Sequence, residues 1–413
     1  MASGASNQDN VPELLKSIWE DDVFDFQYED EVFYGKVDKD TTFEGDGRYV
    51  TVKIGSGGGH SALFDKAQEN RGPSTYRRMF VEVADNYAVW SVDKKFISLS
   101  RNQKGSLKRA LQEATESAQT KLKRRTVRQL WGTGGGAIGK VSSISTTDLT
   151  LSNTADVRNF DIGDVCAFSN DDGYTASTGV LSGTRQVTAI NEDTGVITFD
   201  TTLATIEGLG ANDYVFIDGD YGAVMKGVLA YITTSAPGVS SIPTSIWGMT
   251  RTEFPTRLSG HRFTGDQNQI AEEVLIALTK AFKRNIKTTD IFMDPDLFNE
   301  FVMSLEGQRQ RPASEKVGGV GYSGIEVTAQ NGKTVKVWGD PSIPLSPSGN
   351  RLVFGLNMDT WVMASSEEYP MWLTDKGERF MVETSANAVQ GRVGGYPQCY
   401  CDAPGQNWIL ELS

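Results

Sequence analysis

A glycine-rich segment, QLWGTGGGAIGKVSS at 129–143, has the residue spacing closest to a known chemistry. GGGAIG fits the Gly-x-Gly-x-x-Gly pattern of dinucleotide-binding loops, and GGGAIGKV differs from a phosphate-binding P-loop only at its last position. Both loops need a strand before the glycines and a helix after them, because the helix N-terminus attracts the phosphate. Here a predicted helix comes first, strands follow, and Val141 lacks the hydroxyl that would bind magnesium. The glycines therefore predict a helix end at Gly132 rather than a nucleotide site.

Other residues that could carry catalysis do not form a recognisable set. The sequence has two histidines, His60 in a glycine-rich tip and His261 in a predicted loop, and it has no Gly-x-Ser-x-Gly elbow or zinc-type cluster. Asp-Gly pairs near 171–173 and 218–220 could suggest calcium, but they lack the full EF-hand pattern and favour turns. We therefore predict no catalytic residue, no metal site and no cofactor, and expect that the protein is not an enzyme.

Three cysteines, Cys166, Cys399 and Cys401, are too few for a disulfide framework and predict folding in a reducing compartment. Cys399 and Cys401 are two positions apart, so both side chains lie on one face of a predicted strand. A pair of buried thiols is the favoured interpretation, and a redox or metal-binding pair is the alternative.

The composition narrows the class of protein further. The chain has 413 residues, enough for two or three structural units, and a net charge of −13 from 53 acidic and 40 basic residues. An acidic chain argues against a nonspecific nucleic-acid coat. The sequence has no apolar run of about 18 residues and no apolar signal core at its N-terminus, so neither a membrane span nor an export signal is predicted.

The elements that would position functional residues begin with an acidic segment. Residues 1–40 carry 11 acidic and 3 basic side chains, which predicts either a solvated helix or an arm that seeks a basic partner. Strands predicted at 48–54 and 76–85 flank a glycine-rich middle and form a long hairpin. Since this hairpin has little apolar content of its own, we expect it to lie against another surface, that of a second subunit.

A long helix is predicted at 104–131, because the stretch holds no proline and its apolar residues recur at helical spacing. Residues 104–128 carry eight basic side chains against two acidic ones, in a chain that is acidic overall. The stretch 139–220 alternates short strand-like segments with turns and predicts an inserted small β-barrel or sandwich. A second amphipathic helix at 266–286 leads into strands, so the fold class is α+β.

The order of these parts resembles that of the major capsid proteins of tailed bacteriophages, those with the Hong Kong phage capsid fold. The most specific segment is VRQLWGTGGGAIGKV, which is similar to the end of the family's spine helix. GDGRYVTVKI through FVEVAD resembles its extended loop, IFMDPDLFNEFV and VKVWGDPSIP resemble pieces of its axial domain, and RFMVETSANAVQGRVGGYPQCYCDAPGQNWIL resembles the closing strands of its peripheral domain. The resemblance covers nearly the whole chain.

This resemblance implies six units along the chain. They are an N-terminal arm (1–47), an extended β-hairpin loop (48–85), peripheral-domain strands with the spine helix (86–132), an inserted β-rich domain that the minimal family form lacks (133–226), an axial domain with its connector (227–370) and the closing strands of the peripheral domain (371–413).

The resemblance also implies a function. The chain would be a structural protein that self-assembles as hexamers and pentamers into an icosahedral capsid around the double-stranded DNA of a tailed phage. Its partners would be other copies of itself, a portal, a cement or decoration protein and packaged DNA held by nonspecific contact, with no membrane. Because no large prodomain precedes the arm, scaffolding would come from a separate protein or not be needed. The protein would be made in the host bacterial cytoplasm and reside in the virion capsid.

Contacts between subunits are expected at charged or aromatic side chains of the arm, the hairpin and the basic helix. The candidates are Trp19, Asp21, Asp22, Arg48, Lys53, Arg77, Arg78, Lys121, Lys123, Arg124, Arg125 and Arg128. The family's covalent cross-link between a loop lysine and an asparagine is not carried over, since Lys53 and Lys66 are only nominal candidates.

Three other functions stay open as alternatives. An encapsulin-like compartment would keep the fold and enclose protein cargo. A β-rich enzyme acting on carbohydrate is disfavoured because no nucleophile or base constellation is present. A secreted adhesin is disfavoured because the sequence shows no signal peptide.

Overall fold

Helices and strands are mixed along the chain, as the alternating hydrophobic periods predict. The computed structural model describes residues 32–95, 104–175, 178–239, 242–306, 325–328, 334–374, 379–382 and 387–413. The α-helices in these ranges are α1 (Val32–Lys36), α2 (Phe64–Glu69), α3 (Lys104–Trp131), α4 (Val228–Tyr231), α5 (Pro255–Leu258), α6 (Ile270–Lys283) and α7 (Pro295–Glu306). 

The strands fall into several separate sheets. They are β1 (Asp38–Asp40), β2 (Gly47–Gly55), β3 (Thr75–Glu82), β4 (Asn86–Asp93), β5 (Gly139–Ser145), β6 (Asp148–Leu151), β7 (Val165–Ser169), β8 (Arg185–Asn191), β9 (Val196–Phe199), β10 (Tyr214–Ile217), β11 (Ser245–Ile246), β12 (Met249–Thr250), β13 (His261–Gly265), β14 (Asp290–Met293), β15 (Ile325–Thr328), β16 (Thr334–Gly339), β17 (Arg351–Leu356), β18 (Trp361–Ala364), β19 (Met371–Trp372), β20 (Phe380–Val382), β21 (Ala388–Gly395), β22 (Gln398–Cys401) and β23 (Trp408–Leu412).

Strands β5 to β10 close into a barrel in the order β10-β5-β6-β9-β8-β7. Successive side chains of a strand point to opposite faces, so each strand contributes alternate residues to the interior. The buried interior is apolar and includes Val141, Leu149, Phe168, Ile197 and Val215. The sequence left open a barrel or a sandwich for this stretch, and the barrel is confirmed.

A six-stranded sheet has the order β13-β23-β17-β14-β16-β15. Its strand β14 is buried along its whole length, which is typical of a strand that is covered on both faces. Ile291 and Met293 belong to the core that includes α6 and α7, whereas Phe292 belongs to the core that includes α1 and the end of α3. The sheet therefore separates two hydrophobic cores.

Helix α3 connects two parts of the molecule. Leu122 is buried with Trp372 against the sheet that β4 forms with β19, β20 and β21. Trp131, at the end of the helix, lies 4.7 Å from Phe33 and 5.1 Å from Phe354 between ring centroids. The predicted bounds 104–131 are confirmed.

The second predicted helix is shorter than expected. Helix α6 spans Ile270–Lys283 rather than 266–286. The Asp266 side chain accepts the Asn268 amide and caps a 3₁₀ turn at Gln267–Gln269, so the α-helix begins after this turn.

The hairpin of β2 and β3 pairs in antiparallel register, with α2 between the strands. Val50, Val52 and Met79 on its inner face are buried in the same core as Met249 and Leu258 of the chain's own connector. The support that we expected from a second subunit therefore comes, for the inner face, from the same chain.

The predicted closing unit 371–413 is divided among three sheets. Strands β19, β20 and β21 lie in one sheet with β4. Strand β22 instead pairs with β18, and β23 is inserted between β13 and β17 of the six-stranded sheet. Trp408 and Leu410 of β23 are buried in the same core as α6, which accounts for the place of the last strand in the six-stranded sheet. Within the described ranges, no helix combines the length and the apolar character that a membrane span requires.

Candidate assembly surface

The glycine-rich segment begins where α3 ends. Helix α3 stops at Trp131, and the Gly132 amide donates to the Gln129 carbonyl at 3.1 Å. Strand β5 follows the glycines, as predicted. The helix end at Gly132 is thus confirmed, and any ligand at this point would meet the carbonyl end of the helix, which disfavours an anion.

The same glycines allow close approach of backbones where the chain enters and leaves the barrel. A Cβ atom on Gly135 would overlap the Asp172 carbonyl oxygen, and one on Gly136 would overlap that of Asp220. The Gly222 amide donates to the Gly135 carbonyl at 2.9 Å. Only glycine fits such contacts without displacing backbone, so packing accounts for the run.

Four basic residues of α3 face the inserted domain of their own chain. Their hydrogen bonds are Lys121 Nζ to Asp164 Oδ1 at 2.8 Å, Arg124 Nη1 to Asp161 Oδ1 at 2.9 Å, Arg125 Nη2 to Asp220 Oδ1 at 2.7 Å and Arg128 Nη1 to the Asn159 carbonyl at 3.3 Å. The basic helix and the acidic loops of the inserted domain therefore neutralise each other. We call these contacts the barrel junction. Contacts of the four residues with another subunit stay a prediction.

The pairs of the barrel junction differ in burial. The Asp220 side chain is 3% exposed, whereas Lys121 and Arg124 are largely exposed. Burial raises the pKa of Asp220 against the attraction of Arg125 and Arg128, and burial lowers the pKa of Arg128 to about 10. A buried charge that loses its partner is costly, so we expect removal of Arg125 to destabilise the fold more than removal of Lys121 or Arg124.

A buried arginine ties the inserted domain to the connector. Arg251 is fully buried, and its Nη1 donates to the Ala230 carbonyl at 2.8 Å. Its Nη2 donates to the Pro243 carbonyl at 2.5 Å and to the Tyr174 hydroxyl at 3.2 Å. Tyr174 belongs to a loop of the inserted domain, so one guanidinium group fixes three segments.

The Asp171 carboxylate organises that loop. It accepts the amides of Gly173 and Thr178, both at 2.7 Å, and the Tyr221 hydroxyl at 2.8 Å. These bonds are those of a turn-forming aspartate, which is the interpretation that the sequence favoured for this Asp-Gly pair. Among the described residues, no group of three or more acidic, histidine or cysteine side chains could hold a metal ion.

The outer face of the hairpin is exposed and partly aromatic. Tyr49 is 69% exposed and Tyr76 is 52% exposed, while Phe64 in α2 at the hairpin tip is 79% exposed. Lys53 and Arg78, two of the predicted contact residues, share this outer face. We did not predict Tyr49 and Tyr76 as contact residues, although their alternation with the apolar residues Val50, Val52 and Met79 places them on the outer face.

Two other predicted hairpin residues attach it to the chain. Arg48 pairs with Asp40, and Arg77 Nη2 lies 2.7 Å from Glu253 Oε2. Both pairs are partly exposed, so they orient the hairpin more than they stabilise it.

The remaining predicted contact residues are placed as follows. Lys123 is half-buried on α3. Trp19, Asp21 and Asp22 lie outside the described residues.

The structure also brings together arginines that the sequence did not suggest. Arg257, Arg262 and Arg284 line one cleft with His261. No local motif signals this cleft, because Arg284 lies 23 positions after His261 and joins the other members only in the fold.

The cysteines are free and buried, which confirms the favoured interpretation of Cys399 and Cys401. Burial raises the pKa of the Cys401 thiol to about 12, and it also raises the pKa of Cys399. A thiol that stays protonated at neutral pH is a poor nucleophile.

The chain is similar in fold to proteins of known structure. No family model matches the chain, and no curated protein matches it. It is similar to a chain of the Cyanophage A-1(L) capsid asymmetric unit, with a TM-score of 0.54 and 12% identity over 95% of this chain and 97% of that chain. It is also similar to a chain of the holo-SrpI encapsulin complex from Synechococcus elongatus PCC 7942, with a TM-score of 0.41 and 11% identity over 97% and 94% of the two chains. A chain from the capsid of a native GTA particle gives a TM-score of 0.42 and 9% identity over 92% and 89%.

The likeness to the cyanophage chain extends over nearly all of both chains and shows a phage capsid fold. The cyanophage chain is part of a capsid asymmetric unit.

Proposed function

We propose that the chain is the major capsid protein of a tailed bacteriophage. Copies assemble as hexamers and pentamers into an icosahedral shell that encloses double-stranded DNA. The observation that carries this proposal is the match in fold to the Cyanophage A-1(L) capsid chain over 95% of this chain. A match confined to the barrel or to one sheet would not support a shared role, because such parts recur in unrelated proteins.

The exposed side of the hairpin supports the same proposal. Large aromatic side chains are enriched where proteins contact each other, and here they occupy an exposed face whose opposite side is already covered. A hairpin that projects Tyr49, Tyr76 and Phe64 offers a neighbouring copy an apolar patch of modest size. Many modest contacts suit a shell, because subunits that bind wrongly can dissociate and rebind.

The finer parts of the proposal concern partners, location and domains. The shell works with a portal and with a separate scaffolding or decoration protein, and packaged DNA makes nonspecific contacts with it. Synthesis takes place in the host cytoplasm, and the mature protein resides in the virion. The hairpin is the extended loop, α3 is the spine helix, and the barrel is an added domain on the outer face.

Electron microscopy of negatively stained protein tests the proposal directly. The purified chain, alone and with a candidate scaffold, is expected to form closed icosahedral shells or rings of six and five subunits. A uniform monomer or dimer under both conditions would contradict it. Shells that package protein but exclude DNA would support the encapsulin-like alternative instead.

The hairpin is tested by removing its exposed aromatic groups. Tyr49→Ser with Tyr76→Ser should lower the yield of shells about tenfold or more, because interface aromatics often contribute over 1 kcal/mol each. The melting temperature of the free subunit should hardly change, since both residues are exposed. The matched control is Ile162→Ser, at a residue of the loop before β7 that is 69% exposed. Equal loss of shells in the control would show a nonspecific effect of surface polarity.

A further inference from the structure

Three arginines form a cleft at one edge of the six-stranded sheet. Arg257 lies on α5, Arg262 lies on β13, and Arg284 directly follows α6. With His261 they line a cleft of about 570 Å³. We call it the arginine cleft.

Arg262 is held in place by neutral acceptors. Its Nη1 donates to the Ser259 hydroxyl at 3.1 Å and to the Gly260 carbonyl at 3.0 Å. A guanidinium group has five N–H donors in a fixed plane, so these bonds orient the group and leave donors for a ligand.

Arg284 is positioned by an aromatic ring and a histidine. Its Cζ lies 5.2 Å from the centroid of the Phe263 ring, and its Nη1 lies 3.0 Å from His261 Nδ1. His261 must be neutral to accept this bond. Burial and then the charges of Arg284 and Arg262 lower the pKa of His261 to about 4, so the ring accepts at neutral pH.

The positive charges of the arginine cleft have no counter-charge in the described part of the chain. None of Arg257, Arg262 and Arg284 forms an ion pair with a described carboxylate. Burial, followed by repulsion from Arg251 and Arg284, lowers the pKa of Arg262. Like charges held together cost free energy, and a bound anion offsets that cost.

We propose that the arginine cleft binds carboxylates of the acidic segment 20–31 from a second copy of the chain. The segment lies outside the described residues, and its sequence, EDDVFDFQYEDE, has seven acidic side chains and no basic one. Arginine binds a carboxylate through two parallel N–H···O bonds, which suits the two oriented guanidinium groups. This inference rests on the proposed function, because assembly is what brings two copies together.

Nucleic-acid phosphates share this chemistry but fit the arginine cleft less well. A duplex is a long polyanion that is bound by an extended basic surface. Here the chain as a whole is acidic, with a net charge of −13, and a cleft of about 570 Å³ holds a few side chains. An acidic peptide therefore matches the size of the site better.

A binding measurement tests the arginine cleft apart from assembly. The receptor is the full chain with Asp21→Lys, Asp22→Lys and Asp25→Lys, in which the chain's own segment no longer competes. A fluorescent peptide of residues 18–31 should bind this receptor and bind about tenfold or more weakly after the further change Arg257→Glu and Arg284→Glu, since each charged hydrogen bond contributes about 1.5 kcal/mol or more.

Controls separate charge from folding. Arg392→Glu reverses an exposed arginine that bonds to Gln390 within its own strand, and it should leave peptide binding unchanged. Arg284→Lys keeps the charge but loses the planar fork, and should give an intermediate affinity. Equal binding by all these variants, each with the parent's melting temperature, would overturn the proposal. Stronger binding of a DNA duplex than of the peptide would show a phosphate site instead.

A mixing experiment shows whether the segment comes from a second copy. The chain with a reversed cleft and the chain with a reversed segment should each lose about tenfold or more of their shells in sedimentation. An equal mixture of the two variants should form shells again. The acidic cleft of one variant can then bind the basic segment of the other, and the basic cleft of the second can bind the acidic segment of the first. If shells formed from a chain that carries both reversals but not from the mixture, the segment would bind the cleft of its own copy. A parent chain that forms no shells would refute the proposed function, while the peptide measurement would still decide the cleft.

Discussion

The barrel junction and the arginine cleft are both rich in positive charge, but among the described residues only the junction has acidic partners. At the junction, four basic residues that are close in sequence meet the acidic loops of the inserted domain. In the cleft, Arg284 joins Arg257 and Arg262 from a distant part of the sequence, and the three arginines form no ion pair with a described carboxylate. A dense run of charge in a sequence is therefore a poor guide to where a partner binds, because the fold can supply the partner itself.

The largest effect is expected at the buried pair of the junction. Arg125→Met leaves the Asp220 carboxylate buried, with Arg128 as the neighbouring cation, and should lower the free energy of unfolding by about 3 kcal/mol. Urea unfolding measures this change. The further change Asp220→Asn removes the unpaired carboxylate and should restore part of the lost free energy of unfolding. If Arg125→Met alone changed the stability by less than about 0.5 kcal/mol, the junction would not be held by charge.

A smaller effect is expected at Asp156, whose carboxyl is half-buried near the junction. Burial raises its pKa to about 6, against the attraction of Arg158 and Arg128 and a bond from Asn153. A raised carboxyl pKa stabilises the fold below the unfolded value of about 3.9, and this contribution is lost as the pH rises through about 6.

Asp156→Asn keeps an oxygen that can accept the Asn153 bond and removes the charge. The variant should be more stable than the parent by about 1 kcal/mol at pH 8, after allowance for solvent screening, and equal to it near pH 4. Thermal melts across this range measure the difference. An advantage that did not depend on pH would show that the carboxylate is not strained by burial.

The smallest effect is expected at the exposed pairs of the same junction. Lys121→Ala and Arg124→Ala remove contacts to Asp164 and Asp161 and should each lower the free energy of unfolding by about 0.5 kcal/mol or less. Added salt should abolish even this difference, since exposed charges are screened. If either variant lowered the free energy of unfolding as much as Arg125→Met, burial would not determine how much each contact of the junction contributes.

Local patterns in the sequence were enough to predict some elements. The bounds of α3 follow from apolar spacing and from the glycine after Trp131, which are features of neighbouring residues. The inner face of the hairpin can likewise be seen in the alternation of Val50 and Val52. Such features depend on periods of two or of 3.6 residues, which a sequence shows directly.

Features that depend on distant parts of the chain could not be predicted. Closure of the barrel depends on β10 pairing with both β5 and β7. The position of β23 depends on β13 and β17, which are far away in sequence. The arginine cleft exists because Arg284 is brought beside His261, and no local pattern connects these residues.

The way the barrel is attached has a consequence for how such a chain could gain or lose it. The Gly227 amide donates to the Gly132 carbonyl at 3.2 Å, so the two ends of the inserted domain lie side by side. A module whose ends meet can be exchanged for a short linker without rerouting the rest of the polypeptide. A foreign domain could therefore be grafted between 132 and 227. It would have to cover the basic side chains of α3, or these side chains would have to be substituted.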